Sequence, residues 1–163
     1  MSFGDSYGPD VNVARGRDWP SVRQFNVFMA NRIGAMMDLV RRFESTTVKI
    51  VSLTVVDSAD CAIIRLVLSD PERAIEIFEK AGMMFTESDL LVVKLPATSQ
   101  PLATICKALL SRELSIHYVY PLLIGVGPEE GTALAIHVDD HETATNVLVE
   151  RGFTLYTESD LNW

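Results

Sequence analysis

The tetrapeptide Asn31-Arg32-Ile33-Gly34 contains residue types that suit both charged groups of a small zwitterion. A glycine at a helix start lets a ligand approach the backbone, and the free N–H groups and helix dipole there favour a carboxylate. The Asn31 amide both donates and accepts hydrogen bonds, so it suits an ammonium group as well as a carboxylate. The alternative is a plain turn, in which Asn31 and Gly34 begin a helix without binding anything.

Three histidines and two tyrosines surround one hairpin in the second half of the chain: His117, Tyr118, Tyr120, His137 and His141. Alternation along a strand puts Tyr118 and Tyr120 on one face and His117 on the other. Pairing within the hairpin would place Tyr120 near His137, and His117 near His141 or Asp140. The spacing matches no compact ligand set, so we expect ordinary strand and cap residues rather than a metal site.

Arg65 lies inside an otherwise apolar strand, on the same face as Ile63 and Val67. A guanidinium group is costly to bury without a partner. Arg65 therefore either reaches solvent on an open sheet face or meets a carboxylate across an interface, and we favour the interface.

Signatures of catalysis and of cofactor binding are missing from the sequence. Gly125-x-Gly127 falls in a hairpin turn rather than between a strand and a helix, so it does not indicate a dinucleotide loop. There is no Gly-x-Ser-x-Gly motif and no cluster of carboxylates on one predicted face other than solvated helix charges. We expect no enzymatic activity and no cofactor.

Charge and hydropathy limit the partners of the chain. Its 163 residues include 14 Lys and Arg against 22 Asp and Glu, and the net charge of −8 argues against nucleic acid and membrane surfaces. No apolar run approaches the roughly eighteen residues of a spanning helix, and the first twenty residues lack a signal-peptide core. We expect a cytoplasmic protein in which Cys61 and Cys106 are buried, reduced thiols.

Hydrophobic periodicity predicts six elements in the first half of the chain. They are a strand over 22–30, an amphipathic helix from Met36, strands over 48–57 and 61–69, a helix from Asp70 to Gly82, and a short strand over 83–85. Asp70 suits an N-cap, Pro71 the first helical position, and Gly82 a left-handed C-terminal cap. The order is β-α-β-β-α-β.

The same order returns in the second half. Thr86-Glu87-Ser88-Asp89-Leu90 recurs 71 residues later from Thr157, and Gly82 matches Gly152, which we interpret as a duplication. Residues 86–89 are predicted to turn the last strand of one unit towards the first strand of the next. Residues 161–163 are predicted to add a short strand to a sheet edge.

The pattern predicts an α+β fold of two tandem ferredoxin-like units, each an antiparallel sheet with helices on one face. The other sheet faces and the sheet edges stay open, so pairing between units or chains is expected. We expect a flexible N-terminal arm over 1–21, a first domain over 22–88 and a second over 89–163.

Several of these features resemble the ACT domain. They are the two consecutive units, the Asn-x-x-Gly loop after the first strand, and Asp70-Pro71-Glu72-Arg73-Ala74 opening the second helix. Together with the ending Ser159-Asp160-Leu161, the chain resembles small stand-alone proteins built of two tandem ACT domains. The resemblance covers roughly residues 22–163.

The resemblance implies regulation rather than catalysis. ACT domains bind a free amino acid between two paired domains, whose sheets join edge to edge into one eight-stranded sheet. The ligand contacts the first loop of one domain and the second strand of its partner. The implied site residues are Asn31, Arg32, Ile33, Gly34, Ser99, Gln100, His117 and Tyr118.

The second copy of the loop departs from this pattern, with Ala97 in place of the asparagine and Gln100 in place of the glycine. A side chain at the glycine position obstructs close approach to the backbone. We therefore expect one competent loop per chain.

The resulting hypothesis is a non-catalytic regulatory module that binds a small free amino acid, forms a homodimer and signals to a partner enzyme of amino-acid metabolism. One alternative is a dimerisation scaffold that has lost ligand binding, as the altered second loop suggests. Another is a regulatory subunit of an amino-acid biosynthetic enzyme such as acetolactate synthase, which the paired architecture alone suggests.

Overall fold

Seven strands and five helices form the part of the chain that a computed structural model describes, residues 20–125 and 131–161. The strands are β1 (Val22–Ala30), β2 (Ile50–Asp57), β3 (Cys61–Leu68), β4 (Met84–Lys94), β5 (Ile116–Pro121), β6 (Ala133–Val138) and β7 (Leu155–Tyr156). The helices are α1 (Ala35–Glu44), α2 (Pro71–Lys80), α3 (Pro101–Leu110), α4 (His141–Glu150) and α5 (Glu158–Leu161). The predicted α+β fold of two ferredoxin-like units is confirmed. Most of the predicted arm, most of the hairpin turn predicted over 127–131, and residues 162–163 lie outside the described residues.

The strands form one antiparallel sheet in the order β2-β3-β1-β4-β6-β5, with β7 also paired to β4. The first part of β4 pairs with β1, from Met84 opposite Phe28 to Leu90 opposite Val22. The second part pairs with β6 and β7. The turn predicted over 86–89 is therefore wrong, because these residues hydrogen-bond to β1 inside a continuous strand. The domain boundary predicted between 88 and 89 falls within β4 and stays a prediction.

Each unit has its own core between its helices and its sheet. In the first unit α1 and α2 pack on β1 and β3 around Phe25, Phe43 and Phe78, whose rings meet edge to face at 5.4 and 5.7 Å. The α2 start follows the predicted capping, since the Asp70 carboxylate accepts a hydrogen bond from Arg73 N at 3.1 Å. In the second unit α3 and α4 cover the second part of β4 together with β6.

A third core, the central core, lies between the two units. It brings Val22, Val67 and Leu90 of the first unit against residues of the second such as Tyr120 and Leu122. The sheet faces that the sequence left open therefore pack on each other within one chain. In the described residues this face-to-face packing and the shared β4 join the units, in place of the eight-stranded sheet that the resemblance implied.

Two hydrogen bonds between β2 and the end of β5 also join the units. Leu123 N donates to Val51 O at 2.8 Å, and Ser52 Oγ donates to Pro121 O at 2.5 Å. The edge of the first unit thus meets the edge of the second, and the sheet curls round the central core.

The end of the described chain differs from the prediction. Leu161 was expected to begin an edge strand, but it belongs to the short helix α5 and is 1% exposed in the central core. Thr157 N donates to Asp160 Oδ2 at 2.6 Å, which caps this helix turn. Cys61 and Cys106 are free, as expected, but half-buried rather than buried.

None of the helices in these ranges is long and apolar enough to cross a membrane.

Candidate functional site

The loop between β1 and α1 gives open access to the backbone at the start of a helix. Gly34 caps α1 in the left-handed region, with φ of +85°, where glycine is strongly preferred. A Cβ atom at Gly34 would meet no atom within 4 Å. The first N–H groups of a helix lack intrahelical partners, so this exposed helix start suits an anionic group.

The other residues of this loop are exposed, and two of them contact their own unit. Asn31 Nδ2 donates to Asp57 Oδ1 at 2.8 Å and to Ser58 O at 3.2 Å, which connects the loop to the β2–β3 turn. Arg32 forms an ion pair with Asp38 in the first turn of α1. Ile33 is fully exposed.

The second loop has a different geometry. Ser99 and Gln100 are exposed, and Gln100 precedes α3 with φ of −134°, outside the left-handed region. The Gln100 carbonyl accepts hydrogen bonds from Thr104 N at 3.0 Å and Thr104 Oγ1 at 2.9 Å. Its side chain makes no capping hydrogen bond.

The structure does not bring the eight predicted site residues together within one chain. The first loop adjoins the start of β4, whereas the second loop follows its end. Tyr118 contacts Gln24, which lies seven residues before Asn31, or about 23 Å along an extended strand. His117 is exposed beside Tyr118 on β5.

A polar group of side chains, which we call the junction cluster, occupies the margin of the central core: Gln24, Asn26, Arg65, Tyr118, Tyr120 and His137. Gln24 is fully buried and accepts a hydrogen bond from Tyr120 Oη at 2.6 Å. Its Nε2 donates to Tyr118 Oη at 2.8 Å and to Asn26 Oδ1 at 2.7 Å. Burial raises the pKa of Tyr120 well above its usual value, so this hydroxyl stays a neutral donor.

The ring of Tyr118 connects the two units through stacking. The Arg65 guanidinium carbon lies 3.9 Å from the Tyr118 ring centroid, a cation–π contact. The His137 ring stacks on Tyr118 at 4.9 Å between centroids. Arg65 thus lies at an interface, as predicted, but it meets an aromatic ring of the other unit in place of a carboxylate.

The three histidines are closer together than the sequence indicated. The ring centroid of His137 lies 5.4 Å from that of His117 and 5.4 Å from that of His141. An irregularity between Ile116 and Tyr118 shifts the register, so Tyr118 and not Tyr120 faces His137. Within the described ranges no group of three His, Cys, Asp or Glu side chains is placed to hold a metal ion.

One buried charged side chain, Arg23, has a structural role. Its Nε donates to Glu158 Oε1 at 2.6 Å, and its Nη2 lies 2.7 Å from Glu72 Oε1. Burial acts to lower the Arg23 pKa, but Glu158 and Glu72 outweigh it and the net shift is upward. Arg23 therefore stays charged and connects β1 to α2 and α5.

Gln24 and Asn26 were not singled out from the sequence, although a signal for them existed. In β1 they alternate with the core residues Phe25 and Val27. Two polar residues on one face of a strand that is apolar on the other indicate either solvent or a polar interface. Their hydrogen-bond partners on β5 could not be identified without the packing of the two units.

The structure consists of two ferredoxin-like units that share a strand, with an open glycine loop before the first helix. This architecture is that of paired ACT domains. A family model described as an ACT domain pair matches residues 20–163. The chain belongs to this family.

Solved structures show the same fold. A crystal structure of a protein from Bacteroides thetaiotaomicron superposes with a TM-score of 0.77 at 20% identity, covering 90% of this chain and 99% of that one. The ligand-free regulatory subunit of aspartate kinase from Thermus thermophilus gives 0.53 at 12% identity, covering 82% and 93%. No curated protein matches the chain in sequence.

Proposed function

We propose that the protein is a non-catalytic regulatory module that binds a small free amino acid at the loop Asn31–Gly34 and signals to a partner enzyme of amino-acid metabolism. The observation that carries this proposal is the open, left-handed Gly34 at the start of α1. The ligand carboxylate lies against the first N–H groups of α1. The Asp57 carboxylate, bound by Asn31 at 2.8 Å, supplies negative charge for the ammonium group.

The surroundings of this loop support a site that a second copy of the chain completes. Ile33, Met36 and Met37 are 101%, 50% and 44% exposed, so an apolar surface adjoins the helix start. Such surfaces mark interaction sites, and a homodimer would exclude water from the ligand. Ser99, Gln100 and His117 are exposed and available to a second copy, whereas Tyr118 is occupied by Gln24 and Arg65. A cytoplasmic location stays a prediction.

A thermal-shift screen of the twenty amino acids tests the proposal. A ligand that prefers the native state stabilises it by mass action, by about 2.7 kcal/mol at a hundred times its Kd. We expect one or a few amino acids to raise the unfolding midpoint at millimolar concentration. If none does, the amino-acid site is wrong.

The variant Gly34→Val should abolish the shift, because its side chain enters the open space that the ligand needs. Gly82→Val is the matched control: Gly82 also has positive φ, +64°, and open space around it, so the backbone strain is comparable. Both variants should lose stability, by about 1–2 kcal/mol from left-handed strain, but only Gly34→Val should lose the response. If Gly34→Val and Gly82→Val showed the same thermal shift with the amino acid, Gly34 would have no role in binding it.

The second candidate is a dimerisation scaffold without a ligand. The apolar surface at Ile33, Met36 and Met37 suits it equally well, since a second copy covers this surface whether or not an amino acid is bound. A constant dimer in sedimentation experiments, with no thermal response to any amino acid, would favour the scaffold.

A further inference from the structure

The strand β2 lies at one end of the strand order and has an open edge. Among the described residues it pairs with β3 on one side, and on the other side it meets only the end of β5. There Leu123 N donates to Val51 O at 2.8 Å, and Ser52 Oγ donates to Pro121 O at 2.5 Å. Beyond these contacts no described strand covers Leu53–Asp57, which we call the open edge.

The ladder between β2 and β3 shows which backbone groups of the open edge face outward. Ser58 N donates to Cys61 O at 3.0 Å, and the same register places Val56 opposite Ile63. Alternate pairs of an antiparallel ladder are hydrogen-bonded, so Val56 bonds to β3. The N–H and C=O groups of Val55 therefore point away from the sheet, where only another extended backbone can pair with them in register.

The open edge lacks the features by which edge strands avoid such pairing. Charged side chains, proline and bulges serve that purpose in other sheets. At the opposite end of the strand order, β5 has Pro121 and an irregular register. The irregularity of β2 lies at residues 50–52, before the open edge. Within the open edge, Val55 and Val56 are 45% and 37% exposed, so it presents β-branched side chains that favour strand pairing.

Exposed apolar side chains continue from the open edge across one face of the sheet. Val56, Ile63, Phe28 and Met84 lie opposite one another in β2, β3, β1 and β4, in a row that we call the apolar row. Phe28 and Met84 are 38% and 73% exposed, because the second unit covers the other end of this face. A strand added beside Val56 would extend the apolar row, which favours an apolar side chain at that position.

Charge favours a basic residue at one end of the added strand. Asp60 is exposed in the turn that follows β2, and the chain has a net charge of −8. A lysine or arginine beside Asp60 is attracted to both the side chain and the field of the whole protein.

A second copy of β2 fits the open edge poorly. If two copies paired antiparallel about Val55, the turn residues 58–60 of one copy would lie beside Val51 of the other. Leu123 is already hydrogen-bonded to Val51 at this position. A register shifted far enough to avoid Leu123 brings the two Asp57 carboxylates opposite each other, and like charges in that position destabilise a strand pair. A segment of a different protein has neither restriction.

We propose that the open edge binds an extended segment of a partner protein, which adds a strand to the sheet of the first unit. The segment has β-branched apolar residues beside Val55 and Val56 and a basic residue beside Asp60. Backbone hydrogen bonds supply the affinity, and the side chains of the segment supply the selectivity. Binding of this segment does not require an amino acid at Gly34.

Amide hydrogen exchange measured by NMR tests the proposal with a capped peptide, Lys-Thr-Val-Thr-Val-Thr-Lys. This probe is β-branched and is basic at both ends, so it can pair in either direction. We expect the Val55 amide to exchange rapidly in the free protein and at least about tenfold more slowly with millimolar peptide. The Val56 amide should exchange slowly in both states. Lys-Ser-Gly-Ser-Gly-Ser-Lys is the control peptide, since it has the same charge but a low strand propensity, and it should not protect Val55.

Substitutions assign the binding to the open edge. Val55→Pro removes an outward N–H and none that bonds to β3, as edge strands tolerate, and it should weaken peptide binding by about tenfold or more. Val55→Thr is the matched control: it keeps the N–H and the branched side chain, so the Kd should change by less than about threefold. Asp60→Asn should weaken binding by about twofold to threefold at low salt, and this effect should disappear at about 0.5 M NaCl.

A version of the peptide that is N-methylated at its threonines and valines covers the case in which Val55→Pro fails to fold. It keeps the charge but cannot donate backbone hydrogen bonds, so it should not protect Val55. Equal binding of the methylated and unmethylated peptides, or an unchanged Kd in a folded Val55→Pro, would show that no strand is added. So would a Val55 amide that millimolar peptide leaves unprotected.

Slow exchange of Val55 in the free protein would also overturn the proposal. If this protection rose with protein concentration, a second copy would cover the open edge. If it did not, residues of the same chain outside 20–125 and 131–161 would cover it. Gly34→Val should keep the response to the peptide, so a failed amino-acid screen and a failed peptide titration are separate results.

Discussion

Gln24 shows how much a single side chain contributes at the junction of the two units. It is fully buried and makes three hydrogen bonds, to Tyr120, Tyr118 and Asn26. A buried amide left with an unmade bond costs about 1–3 kcal/mol, so this network favours one arrangement of the units over others. The sequence singled out Asn31 and Gly34 as loop residues suited to a ligand, and Arg65 as a charged residue in an apolar strand. It did not reveal Gln24, because its partners come from the other unit, 94 and 96 residues away.

At the same scale, His137 should make the stability of the protein depend on pH. Its pKa in the folded state is lowered by burial, and next by His141 on α4, His117 on β5 and Arg65 on β3. As the pH falls through the ordinary pKa of about 6.5, the His137 side chain takes up a proton in the unfolded chain more readily than in the folded chain. Protonation of His137 therefore favours unfolding. We expect the free energy of unfolding, measured in urea, to fall from pH 7 to pH 5. His137→Gln should show a smaller decrease, since the other groups titrate in both proteins, and equal decreases would contradict this role.

At the scale of elements, one pentapeptide adopts two structures. Thr86-Glu87-Ser88-Asp89-Leu90 lies within β4 and pairs with β1, whereas the same five residues from Thr157 form the capped start and turn of α5. The first copy has an edge of β1 to pair with. Before the second copy, the pairing of β7 with β4 ends at Tyr156. The five residues from Thr157 therefore follow their own capping propensity. Local sequence predicted the duplication but not this divergence, which tertiary contacts decide.

The buried faces of the helices also show that local sequence does not predict what tertiary contacts decide. Leu39 and Phe43 of α1, and Ile105 and Leu109 of α3, are buried as their spacing predicts. Leu102 lies three residues before Ile105 and so on the same apolar stripe, but it is 48% exposed at the start of α3. Periodicity identifies an apolar stripe, but the length of helix that reaches the sheet depends on the geometry of the loop before it.

The helix α5 leads to a prediction about truncation. Ending the chain after Asp160 keeps the capping side chain but removes Leu161, which is 1% exposed in the central core. We expect a loss of about 2–5 kcal/mol in the free energy of unfolding, as for other buried leucines. Ending the chain after Leu161 is the matched control and should keep most of the stability. Equal stability of the two truncated chains would show that Leu161 contributes little.

At the scale of the whole molecule, the duplication indicated two similar units but not how they join. The sequence predicted open sheet faces and a turn between the units. The structure instead shows a continuous β4 and a central core with side chains from both units. The alternation of residues in each strand could predict that the sheet face opposite the helices is too apolar to be fully exposed to solvent. It could not predict that the two faces cover each other, because that depends on how the sheet curls round β4.

This arrangement predicts that the two units unfold together. Val67 on β3 is fully buried in the central core, so Val67→Ala should cost about 2 kcal/mol by leaving a cavity. Because the central core belongs to both units, hydrogen-exchange protection should fall by similar amounts for amides of β1 and of β6. Val149→Ala, at a position that is 57% exposed on α4, is the control and should change protection by less than about 0.5 kcal/mol. If Val67→Ala lowered protection in β1 alone, the units would unfold independently, and the shared strand would then connect two domains without coupling their stability.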